Sequence, residues 1–179
     1  AEGVPPERIR FVGNVMIDTL LRVLPDVSGA APEAVRALPE GGYVLVTLHR
    51  PSNVDDPAVL RGIVRALERI ARDVPVVLPV HPRTRKRMEE AGLAFDRVRA
   101  LEPLGYRAML ASMARAGMVM TDSGGIQEET TVLGVRCLTL RANTERPITV
   151  HEGTNELVPD RSEEAVVEEE EGPLHDIME

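Results

Sequence analysis

The chain has 179 residues, of which 43% are hydrophobic but only 2% aromatic, and it contains no tryptophan. This length and composition predict one domain of ordinary size with an aliphatic core. The formal net charge of -8 comes from residues 160–179, which hold nine of the 29 acidic residues and one of the 21 basic ones, so the neutral remainder excludes a general nucleic-acid binder.

The first half of the chain alternates short apolar runs with helical patterns. An acidic cap at Asp55 and Asp56 followed by Pro57 is typical of a helix start. Apolar residues then recur at the helical period from Val59 to Ile70. The predicted elements are a strand and turn over residues 9–14, a helix over 15–24 ended by Pro25, a short helix around 33–38, a buried strand over 43–48 and the helix from residue 57.

The second half continues this alternation. The predicted strands cover residues 76–80, 98–101, 119–121 and 135–140, and the predicted helices cover 84–91, 106–114 and 124–133. Strands that alternate with helices indicate an α/β fold with a doubly wound, Rossmann-like parallel sheet. We expect one domain over residues 1–159, followed by a poorly ordered acidic tail over 160–179.

The turn between the strand at 119–121 and the next helix consists of Asp122, Ser123, Gly124 and Gly125. Such a turn directs free backbone N–H groups and the positive end of a helix dipole at one point, which suits a phosphate. An acidic residue in the helix's first turn, such as Glu129, could accept hydrogen bonds from sugar hydroxyls. The alternative is an ordinary strand–helix connection whose acidic residues complement the dipole.

Polar residues follow four of the predicted strands. They are His49, His81, the pair 122–123 and the loop 143–146. Because ligands of doubly wound sheets bind beyond the carboxyl ends of the strands, we expect these residues to meet at one rim.

Each rim residue has a functional and a structural interpretation. His49 could donate to a phosphate oxygen or support a leaving group, or it could cap the strand end. Arg146 suits a diphosphate but could be a solvated loop residue. The basic run after His81 could form a second anion site, although a solvated helix face is favoured.

Signals for a metal, a cofactor or a membrane are missing from the sequence pattern. The single Cys137 lies in an apolar run and offers no intrachain disulfide, and the four histidines lack metal-ligand spacing. We therefore expect no metal and no cofactor. No apolar run reaches membrane-spanning length and no signal peptide is visible, so we expect no membrane partner and a cytoplasmic location.

Residues 122–129, Asp-Ser-Gly-Gly-Ile-Gln-Glu-Glu, resemble the signature of the non-hydrolysing UDP-N-acetylglucosamine 2-epimerases. The resemblance extends over about residues 5–158. Further segments that resemble family motifs, in chain order, are 8–18, 47–55, 144–147 and 153–155.

The resemblance implies a two-domain architecture of the glycosyltransferase-B type, in which this chain is the UDP-binding half. It implies that His49 is the catalytic-site histidine near the diphosphate. The UDP-binding residues that it implies are Ser123, Gly124 and Gly125 at the diphosphate, Glu129 at the ribose, Arg146 in the UDP site, and Leu104 and Met109 beside the uracil.

The implied activity is an isomerase reaction that supplies N-acetylmannosamine nucleotides for envelope polysaccharide. It eliminates UDP across C1–C2 of UDP-N-acetylglucosamine and adds it back with C2 inverted. In the family, an N-terminal domain supplies the C2 acid–base carboxylates. We expect this chain not to include that domain and the isolated chain to be inactive. The resemblance also implies that the parent enzyme is a homodimer. The alternatives are a glycosyltransferase donor-binding domain and a non-catalytic sugar-nucleotide-binding module.

Overall fold

The structure is a computed structural model that describes residues 3–10 and 12–167. It confirms the predicted α/β fold: six parallel strands form one sheet in the order β3-β2-β1-β4-β5-β6. The strands are β1 Val44–Thr47, β2 Val76–Pro79, β3 Arg99–Leu101, β4 Met118–Thr121, β5 Arg136–Thr139 and β6 Asn155–Leu157.

Helices cover both faces of the sheet. They are α1 Val15–Val23, α2 Glu33–Arg36, α3 Pro51–Val54, α4 Pro57–Ile70, α5 Pro82–Glu90, α6 Tyr106–Arg115, α7 Gly124–Leu133 and α8 Pro147–His151, with 3-10 turns at Pro6–Arg8 and Leu24–Asp26. The short elements α3, α8 and β6 were not predicted, because three to five residues are too few to establish a period.

Alternate residues of β1 point into two separate cores. Val44 and Val46 pack with the apolar stripe of α4, whereas Leu45 packs on the opposite face with residues of α1, α2 and α6. This alternation is the period-two geometry of a strand buried on both sides. Helix α4 begins as predicted, with the Asp56 carboxylate accepting from the Ala58 N–H at 2.8 Å.

The predicted strand near residue 9 is wrong. Residues 9, 10 and 12 pair with no strand of the described sheet, and the side chains of Ile9 and Val12 are 60% and 74% exposed. An apolar run becomes a strand only when a neighbouring strand satisfies its backbone groups, and the described residues offer none here. Phe11 lies outside the described residues.

The prediction of a poorly ordered tail over residues 160–179 is wrong for residues 163–167. Residues 163–167 are helical, and Val166 and Val167 are buried in the core beside α4. The preceding segment lies so close to α4 that a Cβ at Gly62 would stand 3.0 Å from the Arg161 carbonyl oxygen. The prediction followed the acidic composition of the tail. The burial of the two valine side chains in the core stabilises this helical turn. Residues 168–179 lie outside the described residues.

Within residues 3–10 and 12–167, no helix has both the length and the apolar composition that crossing a membrane requires.

Candidate functional site

The polar ends of β1 and β4 lie side by side near the middle of the sheet. The strand order reverses between them, because β2 and β3 lie beyond β1 whereas β5 and β6 lie beyond β4. Ligands of doubly wound sheets bind outside the carboxyl ends of the strands at such a switch point. The hydroxyls of Thr47 and Thr121 lie 2.6 Å apart at the last register pair, and His49 and Asp122 stand just beyond.

The Asp122 carboxylate organises the end of β1. Its Oδ2 accepts from the backbone N–H groups of His49 at 2.9 Å and Arg50 at 2.8 Å, and from the Asn53 amide at 3.3 Å. Its Oδ1 lies 3.0 Å from Nδ1 of His49. Burial alone would raise the pKa of Asp122, but the hydrogen bonds from His49 and Arg50 lower it on balance. The sequence prediction assigned Asp122 only to the turn.

One edge of the His49 ring contacts Asp122, and the side chain is otherwise partly exposed to solvent. Its side chain is 41% exposed, and its Nδ1 faces the fully buried side chain of Asp122. The hydrogen bond to Asp122 raises the pKa of His49, against the opposing effects of burial and of the Arg50 charge. The ring of His81 lies beside it, with 5.5 Å between the ring centroids.

The basic residues after His81 are engaged in ion pairs. Arg83 and Arg87 both contact the Asp55 carboxylate, and Arg85 contacts Glu102 at 2.8 Å. These pairs agree with the solvated helix face favoured by the sequence and leave little support for a second anion site.

Helix α7 begins at Gly124 with open backbone N–H groups. Among the residues that the structure describes, no side chain caps this end of the helix. A Cβ at Gly124 would meet only the Glu145 carboxylate, at 3.8 Å, so the approach is open. A Cβ at Gly125 would lie 2.7 Å from Cε of Met16, so this glycine has a packing role against α1.

The adjacent carboxylates Glu128 and Glu129 have different surroundings. Glu128 Oε2 lies 3.0 Å from Nε of Arg146, and its Oε1 accepts from the Asn14 amide at 2.8 Å. Glu129 is buried beside Tyr106 in a cavity of about 270 Å³. Burial raises the pKa of Glu129, opposed by a hydrogen bond from Tyr106, whose own pKa is raised to about 12 by burial and by the Glu129 charge.

The remaining residues implied by the resemblance lie apart from this cavity. Met109 is half-buried in α6 and packs against the core, and Leu104 is half-buried in the turn before α6. The cavity lining consists of Val15, Met16, Thr19, Tyr106 and Glu129.

A buried amide network holds the loop of Arg146 against the α7 turn. The Gln127 Nε2 donates to the Ser123 carbonyl at 3.2 Å, and its Oε1 accepts from Thr144 at 2.5 Å and Asn155 at 3.2 Å. The Thr144 hydroxyl in turn accepts from the Arg146 N–H at 2.9 Å. Sequence reasoning missed Gln127, although it is the one amide side chain in the 122–129 motif.

Glu145 lies in the same loop and is paired with two arginines. It receives two hydrogen bonds from Arg141, at 2.7 and 2.8 Å, and lies 3.8 Å from Arg50. The Arg141 guanidinium lowers the pKa of Glu145 to about 2. Within the described ranges, no group of three or more histidine, cysteine or acidic side chains could hold a metal ion.

Comparison with known proteins identifies consistent relatives. The sequence model of the family described as UDP-N-acetylglucosamine 2-epimerase matches residues 1–177. The UDP-N-acetylglucosamine 2-epimerase of Methanocaldococcus jannaschii is 39% identical over 178 residues, which is 92% of this chain and 48% of that protein. The UDP-2,3-diacetamido-2,3-dideoxy-D-glucuronate 2-epimerase of Pseudomonas aeruginosa is 43% identical over 152 residues, 84% of this chain and 42% of that protein.

Solved structures show the same relationship. The M. jannaschii UDP-GlcNAc 2-epimerase in complex with UDP-GlcNAc and UDP has a TM-score of 0.83 at 38% identity, covering 97% of this chain and 50% of that one. The Neisseria meningitidis UDP-GlcNAc 2-epimerase bound to UDP-GlcNAc has a TM-score of 0.80 at 28% identity, covering 97% and 49%. The chain thus spans about half the length of the relatives that it matches.

Proposed function

Because the chain belongs to the UDP-N-acetylglucosamine 2-epimerase family, we propose that it is the UDP-binding half of an isomerase that interconverts UDP-N-acetylglucosamine and UDP-N-acetylmannosamine. One observation carries the proposal. An uncapped helix N-terminus and a carboxylate-bound histidine stand together at the switch point of the sheet. That arrangement offers hydrogen-bond donors and positive charge to a diphosphate.

The proposed contacts follow the chemistry of each group. The N–H groups of α7 and the Ser123 hydroxyl bind the diphosphate, and Gly124 leaves room for its approach. Arg146 adds positive charge from the facing loop. Glu129 accepts from the ribose hydroxyls, since it is ionisable and lines a cavity, whereas Glu128 is already paired with Arg146.

The uracil is proposed to lie near α6. Leu104 and Met109 are its proposed neighbours, and methionine packs well against aromatic rings. Tyr106, on the same helix, lines the cavity of Glu129 and so lies beside the proposed ribose position.

The proposed reaction begins with removal of the C2 proton of the sugar. The C1–O bond breaks, and its electron pair leaves with the β-phosphate of UDP, so that a C1–C2 double bond remains. Addition of UDP to C1 and of a proton to the other face of C2 completes the inversion. His49 and the α7 N-terminus stabilise the charge on departing UDP, while the C2 base is supplied from outside this chain.

The partners of the whole enzyme are part of this proposal. They are a preceding α/β domain that supplies the base, a second copy in a homodimer, and UDP-N-acetylglucosamine as substrate. We place the enzyme in the cytoplasm, in the supply of sugar nucleotides for polysaccharide synthesis.

The P. aeruginosa relative acts, by its name, on a different UDP sugar. The relatives therefore support the UDP half of the proposed substrate more strongly than the sugar half.

A glycosyltransferase donor domain is the rival function. The Escherichia coli heptosyltransferase WaaC has a TM-score of 0.57 at 13% identity and thus shares the fold alone. Fold does not decide between these chemistries, whereas the epimerase identities favour the isomerase.

Calorimetry of UDP binding tests the proposed site. We expect UDP to bind with equal affinity in EDTA and in excess MgCl₂, because backbone N–H groups, Ser123 and Arg146 supply the donors that Mg²⁺ would otherwise replace. UMP, which lacks the β-phosphate, should bind more weakly. Binding of UDP only in the presence of Mg²⁺ would contradict the site as described.

A further inference from the structure

The hydrogen bonds of Asp122 restrict the state of the His49 ring. Its Oδ1 is buried without an aligned hydrogen bond from any of the described residues, and Nδ1 of His49 lies 3.0 Å from it. If Nδ1 of His49 carried no proton, its lone pair would face this oxygen and leave it unpaired, which is costly in a buried position. The proton therefore belongs on Nδ1, and the exposed edge of the ring carries Nε2.

We propose that Asp122 is a positioning residue that fixes a proton on Nδ1 of His49, so that Nε2 can donate to a diphosphate only when the ring is an imidazolium. The proposal rests on the function proposed above for this rim. Its consequence is that binding of a UDP sugar is linked to protonation of His49. The neutral ring would turn a lone pair, instead of an N–H, toward the phosphate oxygens.

Among the described residues, the other charged and titratable groups around His49 are Arg50, His81 and, beyond Arg50, the pair of Glu145 and Arg141. Arg50 follows it in the chain, and its charge opposes protonation of the ring. His81 caps α5 from the neighbouring strand end: its Nδ1 accepts from the Arg83 N–H at 3.2 Å, and its ring centroid lies 5.5 Å from that of His49. Asp122 is therefore the group that favours the charged His49 ring.

The affinity for the diphosphate should decrease with increasing pH. Asp122 raises the pKa of His49, so affinity for the diphosphate should be full below that raised pKa and should fall as pH increases through it. A charge-assisted hydrogen bond is lost, so we expect a decrease of about tenfold.

The Asp122→Asn variant distinguishes a role of Asp122 in positioning the His49 proton from a merely structural role. The amide oxygen can still accept from the N–H groups of His49 and Arg50, while its NH₂ group faces Nδ1. The neutral ring must then accept at Nδ1 and carry its proton on Nε2, where it donates at every pH. We expect affinity for UDP-N-acetylglucosamine to vary by less than about twofold over the range in which the wild-type affinity falls about tenfold.

The probe is UDP-N-acetylglucosamine because the terminal phosphate of UDP itself titrates near neutral pH and would add its own slope. Asp56→Asn is the matched control, since it makes the same change at the exposed cap of α4. His81→Asn removes the second imidazole but keeps an acceptor at the α5 cap. Both controls should keep the wild-type pH slope.

Nitrogen-15 NMR of the histidine rings tests the proton position without ligand. The neutral wild-type ring of His49 should be the Nδ1–H tautomer, and Asp122→Asn should convert it to Nε2–H and lower its pKa. A wild-type Nε2–H tautomer would overturn the inference, as would a variant that binds more weakly by one factor at all pH values. If the sugar nucleotide does not bind at all, the proposed function fails, while the tautomer still decides the inference.

Discussion

At the scale of single residues, neighbours in sequence are predicted to act on different parts of one ligand. Glu129 lines the cavity beside Tyr106, whereas Glu128 holds the guanidinium of Arg146. We predict that Glu129→Ala weakens UDP binding by about tenfold, because hydrogen bonds from the ribose hydroxyls to a carboxylate are lost. Binding of inorganic pyrophosphate, which lacks the ribose, should change less than about twofold.

Calorimetry with both ligands measures this difference, and Glu128→Ala is the informative comparison. Loss of the Glu128 carboxylate releases the Arg146 guanidinium, so the affinities for UDP and for pyrophosphate should change by the same factor. Equal losses of UDP and pyrophosphate affinity in Glu129→Ala would remove the ribose role from that residue.

At the scale of elements, Gly153, which precedes β6 at the edge of the sheet, lies very close to helices α7 and α8. A Cβ at Gly153 would lie 2.5 Å from the Thr149 carbonyl oxygen of α8 and 2.6 Å from the Thr131 hydroxyl of α7. The carbonyl belongs to the backbone and cannot rotate away, so Gly153→Ala must displace α8 or β6. We predict a loss of about 1–3 kcal/mol in the free energy of unfolding.

Urea unfolding measures that loss, with Gly29→Ala as the matched control. A Cβ at Gly29 meets no heavy atom within 4 Å, so its effect should stay below about 0.5 kcal/mol. Equal stabilities of the two variants would show that α8 and β6 shift without cost.

At the scale of the whole molecule, the described rim holds the leaving group but offers no free base for C2. Among the described residues, the rim carboxylates Asp122, Glu128 and Glu145 each lie against a basic side chain, and Glu129 is assigned to the ribose. The relatives that the chain matches are about twice its length. We predict that this chain alone does not turn over UDP-N-acetylglucosamine, because loss of a general base costs about 10²–10⁴ in rate.

Incubation with UDP-N-acetylglucosamine in D₂O tests this prediction, with deuterium at C2 measured by NMR or mass spectrometry. Calorimetric UDP binding by the same preparation is the control that the chain is folded. Deuterium incorporation at an enzymatic rate would place the base within this half and overturn the division of roles.

The sequence by itself determined the architecture. The α4 stripe, the Asp56 cap, the buried strands and the glycine-rich turn before α7 depend on periods and residue preferences within one element, which can be counted in the printed sequence. Their alternation was sufficient to predict the parallel sheet, and the 122–129 motif was sufficient to indicate the family. The individual binding roles, the N-terminal partner and the homodimer stay predictions.

Only the tertiary structure decided which groups meet. Asp122 binds His49 across 73 residues of chain, and Gln127 contacts Asn155 across 28. Val166 is buried although an acidic run follows it, whereas Ile9 is exposed although it is apolar. Such pairings depend on strand order and on which surfaces close over one another. No local period encodes them, because burial and hydrogen-bond satisfaction are properties of the packed molecule.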